Sequence, residues 1–143
     1  MSYSEKASNY GTIAVSDRAG QVIQDRRKWA VSAHANNDQV LVGYLPAGHR
    51  LVKELCKFIA DGNTPAMTLD VCIGNTTQKL NSAVAVTAST FLSQASTITD
   101  AVCETIGEQD DVNTDVFLNL TTAPTTAGGN VYVVLAYVAT PFA

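Results

Sequence analysis

The sequence predicts a single all-β domain, an antiparallel β-sandwich of jelly-roll type that follows an extended N-terminal arm. Short runs in which apolar and polar residues alternate with a period of two recur along most of the chain, as expected of strands with one buried face. Residues common in turns separate these runs, and about eight runs at spacings of about 8–15 residues are typical of a sandwich or barrel. A chain of 143 residues is long enough to form one hydrophobic core without disulfides or structural metal ions.

The first 27 residues differ in composition from the rest of the chain. They are rich in Ser, Asn, Tyr and charged residues, and Asp17-Arg18-Ala19-Gly20 is a turn signal. This composition predicts an N-terminal arm over residues 1–27 and a β-sandwich domain over residues 28–143.

Alternation defines the first strands of the predicted sandwich. The apolar members of the first two runs are Trp29, Val31 and Ala33, then Val40, Val42 and Tyr44. The tetrapeptide Leu45-Pro46-Ala47-Gly48 suits a type I turn, because proline fixes φ at the second position and glycine at the fourth position adopts readily the conformation with which the chain leaves the turn. Residues 50–60 are predicted to form a strand, although their apolar residues also fit one face of a helix.

The rest of the chain contains further strands around a less informative middle. Met67, Leu69, Val71 and Ile73 alternate with polar or small residues and predict a clear strand. In residues 75–97 we expect a weak strand near residues 84–88 and a long loop or one helical turn around Phe91. Three apolar runs follow in the C-terminal third, and they bring the predicted strands to about eight.

Composition limits the possible functions. Hydrophobic residues make up 46% of the chain and charged residues 15%, which excludes intrinsic disorder and leaves a surface poor in charge. The net charge of −4 disfavours binding to nucleic acid and to anionic membranes. The polar segment 1–11 lacks the apolar core of a signal peptide, and no run approaches the about 20 apolar residues of a membrane span. We therefore expect a chain made in the cytoplasm that does not bind membranes.

Residue patterns for catalysis or metal binding are absent from the sequence. Cys56, Cys72 and Cys103 are widely spaced, and His34 and His49 are the only histidines, so neither a disulfide framework nor a zinc site is indicated. The cysteines lie in apolar stretches and are expected to be buried thiols. Neither GxSxG, HExxH, a phosphate-binding glycine loop nor EF-hand spacing occurs. The sequence thus predicts no enzyme, no cofactor and no small-molecule substrate.

One acidic segment leaves an alternative open. Glu108, Asp110, Asp111 and Asp115 could supply oxygen ligands to Ca²⁺, but a solvated acidic loop is the commoner arrangement without the EF-hand signature. No metal site is predicted, and whether residues 108–115 bind an ion is left undecided.

Three segments resemble small head proteins of tailed bacteriophages. They are VGYLPAGHRLV at residues 42–52, LDVCIG at residues 69–74 and the closing strand GNVYVVLAYV at residues 129–138. In this order they are similar to the capsid decoration, or cement, proteins. The resemblance implies a structural virion protein that binds the outer surface of an icosahedral phage head and stabilises it. It further implies the major capsid protein as partner, a homotrimer, and assembly into the virion in the host cytoplasm.

The arm is the first candidate for contact with the capsid, since a segment that becomes ordered on binding can wrap a large surface. Within it we expect Arg26, Arg27, Lys28 and Trp29 to bind the partner, because Arg and Trp are common interface anchors. The alternative for Trp29 is an ordinary core position. A phage tail or fibre component, or a carbohydrate- or receptor-binding β-sandwich module, remains an alternative function.

Overall fold

The computed structural model describes residues 3–7, 10–11, 22–86, 91–94, 98–99, 103 and 113–139, with the backbone alone described in 91–94. Ten strands and one 3-10 turn lie in these residues. The strands are β1 Glu5–Lys6, β2 Val22–Ala30, β3 Asp38–Leu45, β4 His49–Leu51, β5 Lys57–Ala60, β6 Met67–Ile73, β7 Asn75–Val86, β8 Phe91–Gln94, β9 Thr114–Thr122 and β10 Asn130–Ala139. The 3-10 turn spans Lys53–Leu55.

The strands form two sheets whose order is that of a jelly roll. Sheet A has the order β1-β3-β9-β6-β7, and sheet B has the order β2-β10-β5-β8, with β4 also paired to β10. Without the short strands β1 and β4, the eight remaining strands pair first with last, second with seventh, third with sixth and fourth with fifth. All four of these pairings are antiparallel. The predicted all-β sandwich of jelly-roll type is confirmed.

Strand β2 belongs to the sandwich over its whole length. Its nine residues pair with β10 from Val22↔Val138 to Ala30↔Asn130 without interruption. The predicted boundary between arm and sandwich at residue 27 therefore falls inside β2. The part of the chain before this strand is residues 1–21.

Residues 50–60, predicted as one strand, form two short strands with a 3-10 turn between them. Leu51 pairs with Tyr137 and Lys57 pairs with Val134, so five residues of this segment face only two residues of β10. The additional residues of this segment form the 3-10 turn. Just before the turn, the amide of Val52 still donates to the carbonyl of Ala136 at 2.8 Å. Within this segment only Lys53–Leu55 form a helical turn, and Leu51, Phe58 and Ile59 of the alternative helical face lie in strands.

The middle of the chain contains more strand than predicted. Residues 75–86 form β7, a 12-residue strand at the edge of sheet A, and residues 91–94 form β8 instead of a loop or helical turn. Within the described residues, strand β7 pairs with β6 alone, and three register shifts interrupt this pairing. Because many of its side chains are exposed, β7 lacks the regular alternation that reveals a strand in a sequence.

The core lies between the two sheets. Its fully buried large side chains come from both sheets and include Trp29, Phe58, Leu69, Leu118 and Tyr137. Cys56, Cys72 and Cys103 are buried free thiols, as predicted. Burial raises the pKa of Cys56 to about 11, and these cysteines therefore act as small apolar side chains.

A bulge in β7 places Ala83 in a backbone conformation that disfavours side chains. Its φ is 52°, and its amide donates to the Asp70 carboxylate at 2.8 Å. We expect Ala83→Gly to raise the free energy of unfolding by about 0.5–1 kcal/mol, because relief of the left-handed strain outweighs the entropy lost by glycine. Urea denaturation measures the change.

The control for this substitution is Ala85→Gly, at an exposed position of the same strand without positive φ. There glycine should cost about 0.5–1 kcal/mol. Equal effects of the two substitutions would contradict the assignment of strain to Ala83.

Candidate interaction surfaces

The N-terminal segment, of which the structure describes residues 3–7 and 10–11, packs on the outer face of sheet A. Strand β1 pairs in parallel with β3, with Glu5 opposite Val40 and Lys6 opposite Leu41. On the outer face, Leu41, Cys72 and Phe117 from three neighbouring strands form a small apolar cluster that is almost fully buried. Three tyrosines complete this cluster, namely Tyr3, Tyr10 and Tyr44. The segment thus covers an apolar patch that the sandwich would otherwise expose.

Aromatic contacts and one hydrogen bond hold the segment on this face. The ring of Tyr3 lies 5.6 Å from that of Phe117, and its hydroxyl donates to Oδ2 of Asp115 at 2.5 Å. Burial, and then the bond to this carboxylate, raise the pKa of Tyr3 well above its ordinary value. Tyr10 packs on Tyr44 with 6.2 Å between ring centroids. Asp115, considered above as a possible ion ligand, is thus an acceptor for the N-terminal segment.

Glu5 joins the N-terminal segment to sheet B. Its carboxylate accepts hydrogen bonds from the indole nitrogen of Trp29 and, at 2.9 Å, from the hydroxyl of Ser32. His34 lies 3.6 Å from the same carboxylate, and its Nδ1 lies 3.0 Å from Oδ2 of Asp38. The hydrogen bond from the amide of Ala35 is the largest cause that lowers the pKa of Asp38, and the hydrogen bond with His34 lowers this pKa further. A single charged residue thus connects the segment to both sheets.

The four predicted contact residues do not share one surface. They lie in succession on β2, where alternation directs Arg26 and Lys28 to solvent and Arg27 and Trp29 into the sandwich. Trp29 is 2% exposed and belongs to the core, as the alternative interpretation held. Arg27 pairs with Asp25 at 2.5 Å. Of the four, Arg26 and Lys28 are therefore the residues that a partner could reach in this fold.

The outer face of sheet B brings further basic residues next to these two. Lys57 and Arg26 flank Val134 of β10, one on each side, and Lys28 lies opposite Tyr132. The guanidinium of Arg26 lies 3.9 Å from the centre of the Tyr132 ring. Arg50 of β4 is exposed and lies opposite Val138, four residues further along β10 than Val134. We call Arg26, Lys28, Arg50 and Lys57 the basic face.

Lys57 and Arg50 were not among the contact residues expected from the sequence. They are distant from Arg26 in the sequence, so the sequence does not show that they are its neighbours in space. The alternation in residues 131–137 does place Tyr132 and Val134 on the face opposite Val131 and Val133. Combined with the pairing of β10 to β2 and β5, this alternation would have identified the basic face.

The other features considered in the sequence analysis are the acidic residues near position 110, metal and membrane binding, and His49. Glu108, Asp110 and Asp111 lie outside the described residues. Among the residues that the structure describes, no group of His, Cys, Asp and Glu side chains could hold a metal ion. No helix within these residues is long and apolar enough to cross a membrane. His49 is buried, with Nδ1 3.0 Å from the carbonyl oxygen of Ala47 and its ring edge-on to Tyr137.

Comparison with known proteins finds similarity in structure only. No protein-family model matches the chain, and no curated protein matches it. The chain is similar to a solved chain in the capsid of Ralstonia phage GP4, with a TM-score of 0.68 and 20% sequence identity over 99% of this chain and 100% of that one. It also matches a chain of the cyanophage Pam1 capsid asymmetric unit, with a TM-score of 0.49 and 21% identity over 90% and 93% of the two chains. The first likeness shows that both chains have the same fold over their whole length.

Proposed function

We propose that this protein is a structural component of a bacteriophage virion, a decoration or cement protein that binds the outer surface of an icosahedral head and stabilises it. The observation that carries the proposal is the end-to-end likeness of fold to a chain from the capsid of Ralstonia phage GP4. The resemblance of residues 42–52, 69–74 and 129–138 to phage decoration proteins agrees with the proposal. In this proposal the partner is the major capsid protein, the protein forms a homotrimer, and it joins the virion in the host cytoplasm.

The surfaces described above suit a protein that works by binding other proteins. The sandwich is held by a continuous core, so its two outer faces keep a fixed relative position. One outer face is covered by the N-terminal segment, and the other carries the basic face. Such a rigid domain with two different faces can contact the shell and a neighbouring subunit at the same time.

The aromatic side chains argue against a carbohydrate-binding module. Such a module presents aromatic rings to solvent, where sugars can stack on them. In the described part of the chain, Trp29, Phe58, Phe117 and Tyr137 are buried. Tyr3 and Tyr10 pack on other aromatic rings, and Tyr132 lies beneath Arg26. None of these rings forms an open platform.

Binding to phage heads tests the proposal. Purified protein is added to heads assembled without it, and binding is measured by co-sedimentation. We expect saturable binding and a higher temperature of head disruption, because a ligand that binds only the intact shell stabilises it by mass action. Deletion of residues 1–21 should greatly weaken binding, since the arm is the proposed capsid contact.

The deletion stops at residue 21 because a longer one would remove residues of β2 paired to β10. The truncated chain keeps all eight jelly-roll strands, so circular dichroism should still show β structure and a cooperative thermal transition. Full-strength binding by the folded, truncated chain would contradict the role of the arm. Failure of the full chain to bind heads, or binding to isolated tails instead, would contradict the proposed function.

A further inference from the structure

His34 lies between two carboxylates that come from different strands. Its Nδ1 lies 3.0 Å from Oδ2 of Asp38, at the start of β3. Its Nε2 lies 3.2 Å from the hydroxyl of Ser32 and 3.6 Å from Oε2 of Glu5 in β1. Its ring packs on that of Trp29, with 5.8 Å between the centroids. Among the described residues, Glu5 and Asp38 are the charged groups that face this imidazole.

The contacts around His34 need one proton more than the neutral ring provides. Each neutral form of imidazole carries a proton on only one nitrogen. A proton on Nδ1 leaves the lone pair of Nε2 facing the Ser32 hydroxyl and the Glu5 carboxylate, and the single proton of Ser32 can be donated to only one of them. A proton on Nε2 instead leaves the lone pair of Nδ1 3.0 Å from the Asp38 carboxylate. Only the doubly protonated ring donates on both sides.

Glu5 is the member of this group that belongs to the N-terminal segment. The pairing of the segment with sheet A is short, because β1 pairs with β3 at two positions only. Next to this pairing, the amide of Ala7 donates to the carbonyl of Leu41 at 2.8 Å. A short strand at a sheet edge opens more readily than strands in the core. A change in the attraction between Glu5 and His34 therefore shifts the balance between docked and detached segment.

We propose that His34 is a proton-operated latch, which holds the N-terminal segment on the sandwich more tightly at mildly acidic pH than at alkaline pH. Both carboxylates attract the protonated ring, and detachment of the segment removes Glu5. The docked form therefore binds the proton more tightly, so the proton strengthens docking, and this contribution is lost as the pH rises. Histidine changes its charge between about pH 5 and pH 8. Hydrogen bonds, above all that from the amide of Ala35, lower the pKa of Asp38, which keeps its charge over this range.

The latch sets how available the N-terminal segment is to a partner. A segment that is docked on its own sheet cannot use the same side chains to contact another protein. In the proposed function, where the arm contacts the capsid, neutral His34 would thus favour the form that can bind. This consequence rests on the proposed function. The latch itself is a property of the isolated chain and is measured without heads, so its failure would leave the proposed function standing.

Alkylation of Cys72 measures detachment of the segment. This thiol is fully buried on the outer face of sheet A, in the cluster that Tyr3 and Tyr10 complete. Its rate of reaction with N-ethylmaleimide is compared between parent and His34→Gln at the same pH, so that ionisation of the thiol affects both equally. We expect similar rates at pH 8 and a rate about three- to tenfold higher for the variant at pH 6, because glutamine remains polar but cannot gain the charge.

Two further variants separate the latch from a general weakening of the segment. Tyr3→Phe removes the hydrogen bond to Asp115 and should accelerate alkylation by the same factor at pH 6 and pH 8, since burial raises the pKa of Tyr3 well above this range. Glu5→Gln removes the carboxylate that the latch needs. In its presence, His34→Gln should no longer produce an additional effect at pH 6, since the two residues act as one unit.

The other two thiols and one amide complete the test. Cys56 and Cys103 lie in the core between the sheets, so their alkylation reports opening of the whole domain and should not differ between parent and variant. Hydrogen exchange of the Ala7 amide, compared at equal pH, should follow the alkylation of Cys72. Equal acceleration by His34→Gln at pH 6 and pH 8, no acceleration at either pH, or a parallel rise at Cys56 would contradict the latch.

Discussion

Replacing Gly129 by alanine is expected to lower the free energy of unfolding by about 3–5 kcal/mol, a large part of the about 5–15 kcal/mol that a domain possesses. A Cβ at this position would lie 2.6 Å from Oδ1 of Asp61 and 2.7 Å from backbone atoms of Asn63 and Thr64. The φ of Gly129 is also +65°, which side chains disfavour.

The turn against which Gly129 lies has little freedom to move away. The Asp61 carboxylate accepts hydrogen bonds from the amides of Asn63 and Asn130, both at 3.0 Å. These bonds lower the pKa of Asp61, that from Asn63 being the largest cause. The amide of Asp61 also donates to the carbonyl of Asn130 at 3.1 Å. A methyl group at residue 129 would have to displace the end of β5 from the start of β10.

Gly48→Ala is the control for this prediction. Its φ of +73° is similar, but nothing lies within 4 Å of the added Cβ. It should therefore cost only the backbone term of about 1–2 kcal/mol. The difference between the two midpoints of urea denaturation, at unchanged slope, isolates the contribution of the close contact. Equal costs would show that the contact relaxes freely.

Trp29→Ala is expected to lower the free energy of unfolding by about 3–5 kcal/mol, as usual for a large aromatic side chain removed from a core. Trp29 is 2% exposed, and its indole nitrogen donates to the Glu5 carboxylate. Its loss would leave a cavity between the sheets and would remove one bond that holds the N-terminal segment. Chemical denaturation measures the cost.

The comparison with Arg26→Ala distinguishes a core residue from an interface residue. Arg26 is exposed and stacks on Tyr132, so its removal should cost about 1 kcal/mol or less. If Trp29→Ala instead changed stability by less than about 1 kcal/mol but abolished binding to heads, Trp29 would be a contact residue as first expected from the sequence.

Strands with one buried face were predictable from the sequence, because burial on one side imposes alternation with a period of two. This holds for β6 and β10, whose apolar positions match the residues found in the core. It failed for β7, whose exposed edge position removes the constraint that produces the pattern. The prediction from alternation also failed at residues 50–60. There, more residues lie between Leu51 and Lys57 than between their partners Tyr137 and Val134 of β10, and a turn forms in place of a continuous strand.

The sequence by itself determined the all-β class and the buried cysteines, since these follow from local patterns of polarity. Only the tertiary structure decided which surfaces a partner can reach. Tyr3 donates a hydrogen bond to Asp115, a residue 112 positions away. Lys57 lies near Arg26 because both residues pair with Val134 of β10. Strand order and register bring such distant residues together, and neither leaves a local pattern in the sequence.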